Sequence, residues 1–117
     1  MRGKNILVVD DDPSARESMR LLLTIDRHKV FEAANAEEAL QVLGRQPIDL
    51  VILDYFMPGM TGNQLALNIK ATRPNLPILM VSAYLEKLGE RDKPVDGVLG
   101  KPFGLDEFRR AIAQLLG

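Results

Sequence analysis

Two hydrophobic periods alternate along this chain. Short, mostly continuous apolar runs, "NILVVD" (5–10), "KVFEA" (29–33), "IDLVILD" (48–54), "LPILMVS" (76–82) and "DGVLG" (96–100), are bounded by turn residues. They predict five strands buried on both faces. The segments between them carry helical spacing instead. Ala15, Met19, Leu22 and Leu23 lie on one face, with Asp12 placed to cap the helix and Pro13 at its first position. Ala36, Ala39, Leu40 and Leu43 follow Asn35, whose spacing to Glu38 is that of a capping box. Leu65, Ala66 and Ile69 mark a third helix, and Leu105, Phe108, Ile112 and Leu115 a last one. Between Ser82 and Pro94, Leu85 and Leu88 fit a further helix that Gly89 cuts short. Strands alternating with helices imply right-handed crossovers and a parallel sheet covered on both sides, a doubly wound α/β architecture.

Composition narrows the picture. At 117 residues and 46% hydrophobic, residues 1–117 fit a single domain with one core. The formal net charge of -1, from 15 basic and 16 acidic residues, gives no electrostatic footprint for nucleic acid or an anionic membrane. Cysteine is absent, which removes disulfide and thiolate chemistry. The opening "MRGKNILVVDDDP" meets a triple aspartate too soon for a signal-peptide core or a membrane span. A soluble cytoplasmic protein is the expectation. His28, the one histidine, falls between the first helix and the second strand and reads as a surface loop residue.

In sheets of this kind ligands bind beyond the carboxyl ends of the strands. Strand 1 ends in Asp10, Asp11 and Asp12, strand 3 in Asp54, strand 4 in Ser82, and strand 5 runs into Lys101 and Pro102. Singly, each has a plain reading: Asp12 as a helix cap, Asp54 and Ser82 as turn residues, Lys101 as a solvated charge. Together they are harder to dismiss. If strands 1 and 3 are neighbours, Asp10, Asp11 and Asp54 repel one another by several kcal/mol at about 4 Å and an effective dielectric near 20. A hard cation with oxygen ligands would offset that, and Mg²⁺ suits a site with few carboxylates because it keeps several waters. A divalent cation, a lysine and a hydroxyl converging on one carboxylate are the parts phosphoryl transfer requires, with Asp54 as the nucleophile.

Those residues carry a resemblance. "ILVVDDDP", "VILDYFMPGMTG", "ILMVSA" and "LGKPF" resemble, in order and spacing over residues 5–116, the receiver domain of bacterial two-component response regulators of the chemotaxis-regulator type. The resemblance implies a flavodoxin-like sheet in the order 2-1-3-4-5. It implies that Asp54 is the phosphoacceptor, supplied by a sensor histidine kinase, a phosphotransfer protein or a small donor such as acetyl phosphate. Asp11 then ligates Mg²⁺ directly, Asp10 through water, and Asp54 and the backbone carbonyl of Phe56 complete the protein's share. Ser82 matches the switch hydroxyl and Lys101 the lysine that pairs with the phosphoryl group, with a cis Lys101-Pro102 bond. Pro58 and Gly62 match loop residues after the phosphoacceptor. Such a protein is a signalling receiver that catalyses only its own phosphorylation and dephosphorylation, and its partner is an output protein or effector domain; a homodimer is left open.

Departures from the family pattern bear on mechanism. Val98 stands three residues before Lys101, where the family carries the Phe or Tyr that reports phosphorylation, so a different output surface is expected: helix 1, or a rebuilt region around Leu85 and Leu88. Phe56 and Tyr84 flank the path of attacking water, which predicts slow self-dephosphorylation. The alternative functions are a pseudo-receiver that binds partners without phosphorylation and, more remotely, a small haloacid-dehalogenase-type phosphatase using Asp10 and Asp12.

Overall fold

The computed structural model describes residues 3–55, 57, 59–83 and 95–116. In chain order the elements are β1 (Asn5–Val9), α1 (Pro13–Ile25), β2 (Lys29–Ala33), α2 (Ala36–Arg45), β3 (Leu50–Asp54), α3 (Gly62–Thr72), β4 (Ile78–Ser82), β5 (Gly97–Gly100) and α4 (Leu105–Leu116). The strands form one parallel sheet in the order β2-β1-β3-β4-β5, the order the resemblance implies. The expected further helix between Ser82 and Pro94, with Tyr84, Leu85, Leu88 and Gly89, lies outside the described residues, as do Phe56 and Pro58.

Sequence and burial agree most closely in the middle of the sheet. The side chains of β3 and β4 are buried throughout, and those of β1 from Ile6 onward. One face packs Leu7, Val9, Val51, Leu53 and Ile78 against α2 and α3; the other packs Ile6, Val8, Ile52, Leu79 and Val81 against α1 and α4. Alternate residues of each strand thus serve opposite layers, which is why these runs read as continuous apolar stretches. The expectation of two-sided burial fails at the edges. In β2 Lys29 and Glu32 are exposed, and β5 is half-buried along its length, because each has a neighbouring strand on one side only.

Local signals set the helix starts. Asp12 accepts the Ser14 N–H at 3.0 Å with Pro13 behind it, and Asn35 accepts the Glu38 N–H at 2.8 Å. Thr61 and Gln64 form a reciprocal capping box at α3. The α2 stripe needs correcting: Ala39 and Leu43 are buried, but Leu40 is 40% exposed. Leu105, expected on the buried face of α4, is likewise exposed, whereas Phe108 and Ile112 are buried.

His28 is a second correction. Its place between α1 and β2 is as expected, at the amino ends of the strands and far from Asp54, but its side chain is buried. The backbone of Lys4 folds over it and donates its N–H to Nδ1 at 3.0 Å, while Lys29 pairs with the Lys4 carbonyl. No described helix is long and apolar enough to cross a membrane.

Candidate functional site

Four strands deliver the polar residues to one rim. Asp10 directly follows β1; its amide still bonds the Ala33 carbonyl at 3.1 Å, so the residue is held as if the strand continued. That places its side chain inside, 1% exposed. The chain then turns, with the Asp12 N–H donating to Asp10 Oδ1 at 2.9 Å, and Asp11 projects outward, exposed. Asp54 closes β3 and is buried, in register with Val81 of β4. Asp10, Asp11 and Asp54 each offer a carboxylate oxygen, and the three atoms lie within 4.8 Å of one another.

Lys101 supplies the opposing charge. It follows β5, and its amide donates to the Ser82 carbonyl at 2.8 Å, which ties the ends of β4 and β5 together beneath the site. Its Nζ reaches Asp54 Oδ1 at 3.2 Å and Asp10 Oδ2 at 3.3 Å. The Lys101-Pro102 peptide bond is cis, as the resemblance implies. Ser82 is fully buried at the end of β4.

The turn after Asp54 is built around a close approach. The Gly62 N–H donates to the Tyr55 carbonyl at 2.8 Å, and a Cβ on Gly62 would stand 2.7 Å from the Asp54 carbonyl oxygen and 3.0 Å from the Tyr55 Cα. Only glycine lets the start of α3 come this near the end of β3. Gly59, at φ 84°, supplies the left-handed turn before it.

Electrostatically the site is under tension. Burial raises the Asp54 pKa above the ordinary carboxylate value, the Asp10 charge adds to that, and Lys101 offsets only part of it. For Lys101 burial opposes the charge, but Asp54 and Asp10 together outweigh it and hold the ammonium above its usual pKa. Such a rim favours any added positive charge. Three convergent carboxylate oxygens, one of them on the exposed Asp11, are a donor set that suits a hard, partly hydrated divalent cation.

The structure thus brings together Asp10, Asp11, Asp54 and Lys101, with Ser82 alongside through its carbonyl. The Phe56 carbonyl lies outside the described residues, and Val98 is half-buried in β5, paired with Met80. Sequence reasoning missed Arg16, whose Nη1 donates to the Asp10 carbonyl at 2.6 Å. A cation in the opening turns of α1, against the helix dipole, was the available signal.

Comparison with known proteins points the same way. Response regulator MprA of Mycobacterium leprae is 36% identical over 114 residues, which cover 95% of this chain and 50% of that protein. The chain spans about half the length of the curated relatives it matches. The crystal structure of response regulator TrrA from Thermotoga maritima in complex with Mg²⁺-BeF superposes with a TM-score of 0.86 at 34% identity, covering 96% of this chain and 98% of that one. A putative response regulator from Chloroflexus aurantiacus gives 0.90 at 30% identity, covering 98% of each chain. With the sequence model of the response regulator receiver domain matching residues 6–113, across every strand that feeds the acidic rim, the chain belongs to that family.

Proposed function

We propose that this receiver domain is a phosphorylation-dependent switch in which Asp54 accepts a phosphoryl group from the phosphohistidine of a sensor histidine kinase or phosphotransfer protein. The observation that carries this is Lys101 bonded at once to Asp54 and Asp10, with Asp11 beside them. An Asp54 oxygen attacks phosphorus, the phosphorus–nitrogen bond breaks, and the imidazole leaves with the bonding pair and takes up a proton. The product is an acyl phosphate on Asp54.

Asp10, Asp11, Asp54 and the Phe56 backbone carbonyl would hold Mg²⁺, with Asp11 the direct ligand of the acidic pair and Asp10 acting through water. When bound, the ion neutralises charge on the transferring phosphoryl oxygens. The three clustered carboxylates fit it, and the relative from Thermotoga maritima was crystallised with Mg²⁺-BeF. Lys101 orients Asp54 through its 3.2 Å bond and stands ready for the new anion, and the Ser82 hydroxyl answers the same group from the end of β4. The domain would act in the cytoplasm on a downstream output protein or effector domain, and its only chemistry would be its own phosphorylation and dephosphorylation.

The test is intact-protein mass after incubation with acetyl phosphate, with and without Mg²⁺, alongside Asp54→Asn. One Mg²⁺-dependent phosphoryl adduct, absent from the variant, is the expected result. No adduct would overturn the reading in favour of a partner-binding module that is not phosphorylated.

A further inference from the structure

Arg16 stands in the opening turns of α1, near the positive end of the helix dipole, and no acidic side chain occupies the first turn. Solvation does not account for it there: the side chain is only 17% exposed. Its Nη1 donates to the Asp10 carbonyl oxygen at 2.6 Å, and its Nε to Glu32 Oε1 at 3.2 Å. One rigid guanidinium fork therefore joins the end of β1, the start of α1 and β2. Arg20, one turn further on, touches the same Glu32 more loosely, at 3.8 Å, and is 48% exposed.

We propose that Arg16 is a positioning residue for the divalent-cation site: by holding the Asp10 carbonyl it fixes the turn from which Asp11 projects. The inference rests on the reading that the acidic rim binds Mg²⁺. Asp10 is otherwise set by its amide bond to Ala33 and, at its side chain, by the Asp12 N–H and Lys101 Nζ. The Asp12 bond spans the peptide between Asp10 and Asp11 but holds it only through the Asp10 side chain, and the plane of that peptide decides where the exposed Asp11 carboxylate points. The Arg16 bond acts on that plane directly. Glu32 braces the fork from the other side and balances its charge.

Charge and positioning predict opposite signs, which makes the proposal decidable. A guanidinium beside the rim repels a divalent cation, so by charge alone its removal would tighten Mg²⁺ binding. If Arg16 acts by position, its removal loosens binding. Groups that orient metal ligands in this way are worth about 10- to 100-fold in affinity.

The experiment is calorimetric titration of the phosphate-free protein with MgCl₂, comparing wild type with Arg16→Gln, Arg16→Lys and Arg20→Gln. The expected result is roughly tenfold weaker binding for Arg16→Gln. Arg16→Lys should also bind more weakly than wild type, because a single ammonium restores the charge but not the fork that serves Asp10 and Glu32 together. Arg20→Gln should bind as wild type does. Equal or tighter binding by Arg16→Gln, or wild-type affinity in Arg16→Lys, overturns the proposal; if Arg16→Gln does not fold, the lysine variant decides alone. Without metal, the Asp12 amide should exchange faster in Arg16→Gln, and unchanged exchange counts against the proposal. A wild-type protein that takes up no Mg²⁺ overturns the metal reading and this inference with it.

Discussion

Lys101 Nζ lies 3.2 Å from Asp54 Oδ1 while also holding Asp10 Oδ2, so one ammonium serves two buried carboxylates at the carboxyl ends of different strands. Removing it leaves both without their shared cation. Lys101→Met should destabilise the protein in a chelating buffer by about 1–3 kcal/mol, less than a fully buried pair would lose because the lysine is 29% exposed. Urea unfolding measures this. Added Mg²⁺ should recover more stability in the variant than in wild type, since no resident cation competes for the site.

Asp54 predicts a change of the opposite sign. Burial first, and Asp10 second, raise its folded-state pKa above the ordinary 3.8, so the ionised carboxylate is disfavoured in the fold. Between 3.8 and the raised value the folded chain binds more protons than the unfolded chain, and stability falls as pH rises through that window. Asp54→Asn should therefore be more stable than wild type at neutral pH in a chelating buffer. That advantage should shrink as the medium is acidified toward the ordinary carboxylate range. Thermal midpoints at several pH values provide the check, and a variant less stable than wild type at pH 7 would contradict the sign.

At Gly62 the turn after Asp54 leaves no room for a side chain. The Cβ of Gly62→Ala would meet backbone atoms, the Asp54 carbonyl oxygen at 2.7 Å and the Tyr55 Cα at 3.0 Å, and backbone cannot swing aside as a side-chain tip can. Overpacking of this kind costs about 1–3 kcal/mol. Because the displaced atoms belong to the end of β3, phosphorylation by acetyl phosphate should slow as well. An alanine variant with wild-type stability and rate would show that α3 shifts without moving Asp54.

The legible part of the molecule was the part where one physical cause dominates. The central strands announce themselves because both faces are buried, and the helix starts because Asp12, Asn35 and Thr61 satisfy amides that the helix cannot. The acidic rim was legible because parallel topology sends every strand's carboxyl end to the same side. Arg16 was legible only as a cation set against the helix dipole, since nothing in its spacing says that a long side chain will turn back to the Asp10 carbonyl. His28 was misread for a related reason: its ring partner is the Lys4 backbone N–H, 24 residues away, and no local pattern encodes that contact. Leu40 failed in the other direction, because a helical stripe has edges and the buried line of α2 runs through Ala39 and Leu43.

His28 yields a pH prediction away from the acidic rim. Burial lowers its pKa below 6.5, and the nearby Asp26 charge offsets only part of that. The hydrogen bond has the same sense: Nδ1 accepts the Lys4 N–H, so the neutral ring is what fits, and a proton on Nδ1 would face another donor. Below pH 6.5 the unfolded chain takes up a proton that the folded chain resists, so stability is lost as pH falls from about neutral through the depressed value. In His28→Asn the side-chain carbonyl can accept from Lys4 in place of Nδ1, and it does not titrate. Urea unfolding at neutral pH and at pH near 5 should show wild type losing more stability than the asparagine variant. Equal losses would mean that the histidine is accommodated in its charged form, and that Asp26 rather than burial sets its behaviour.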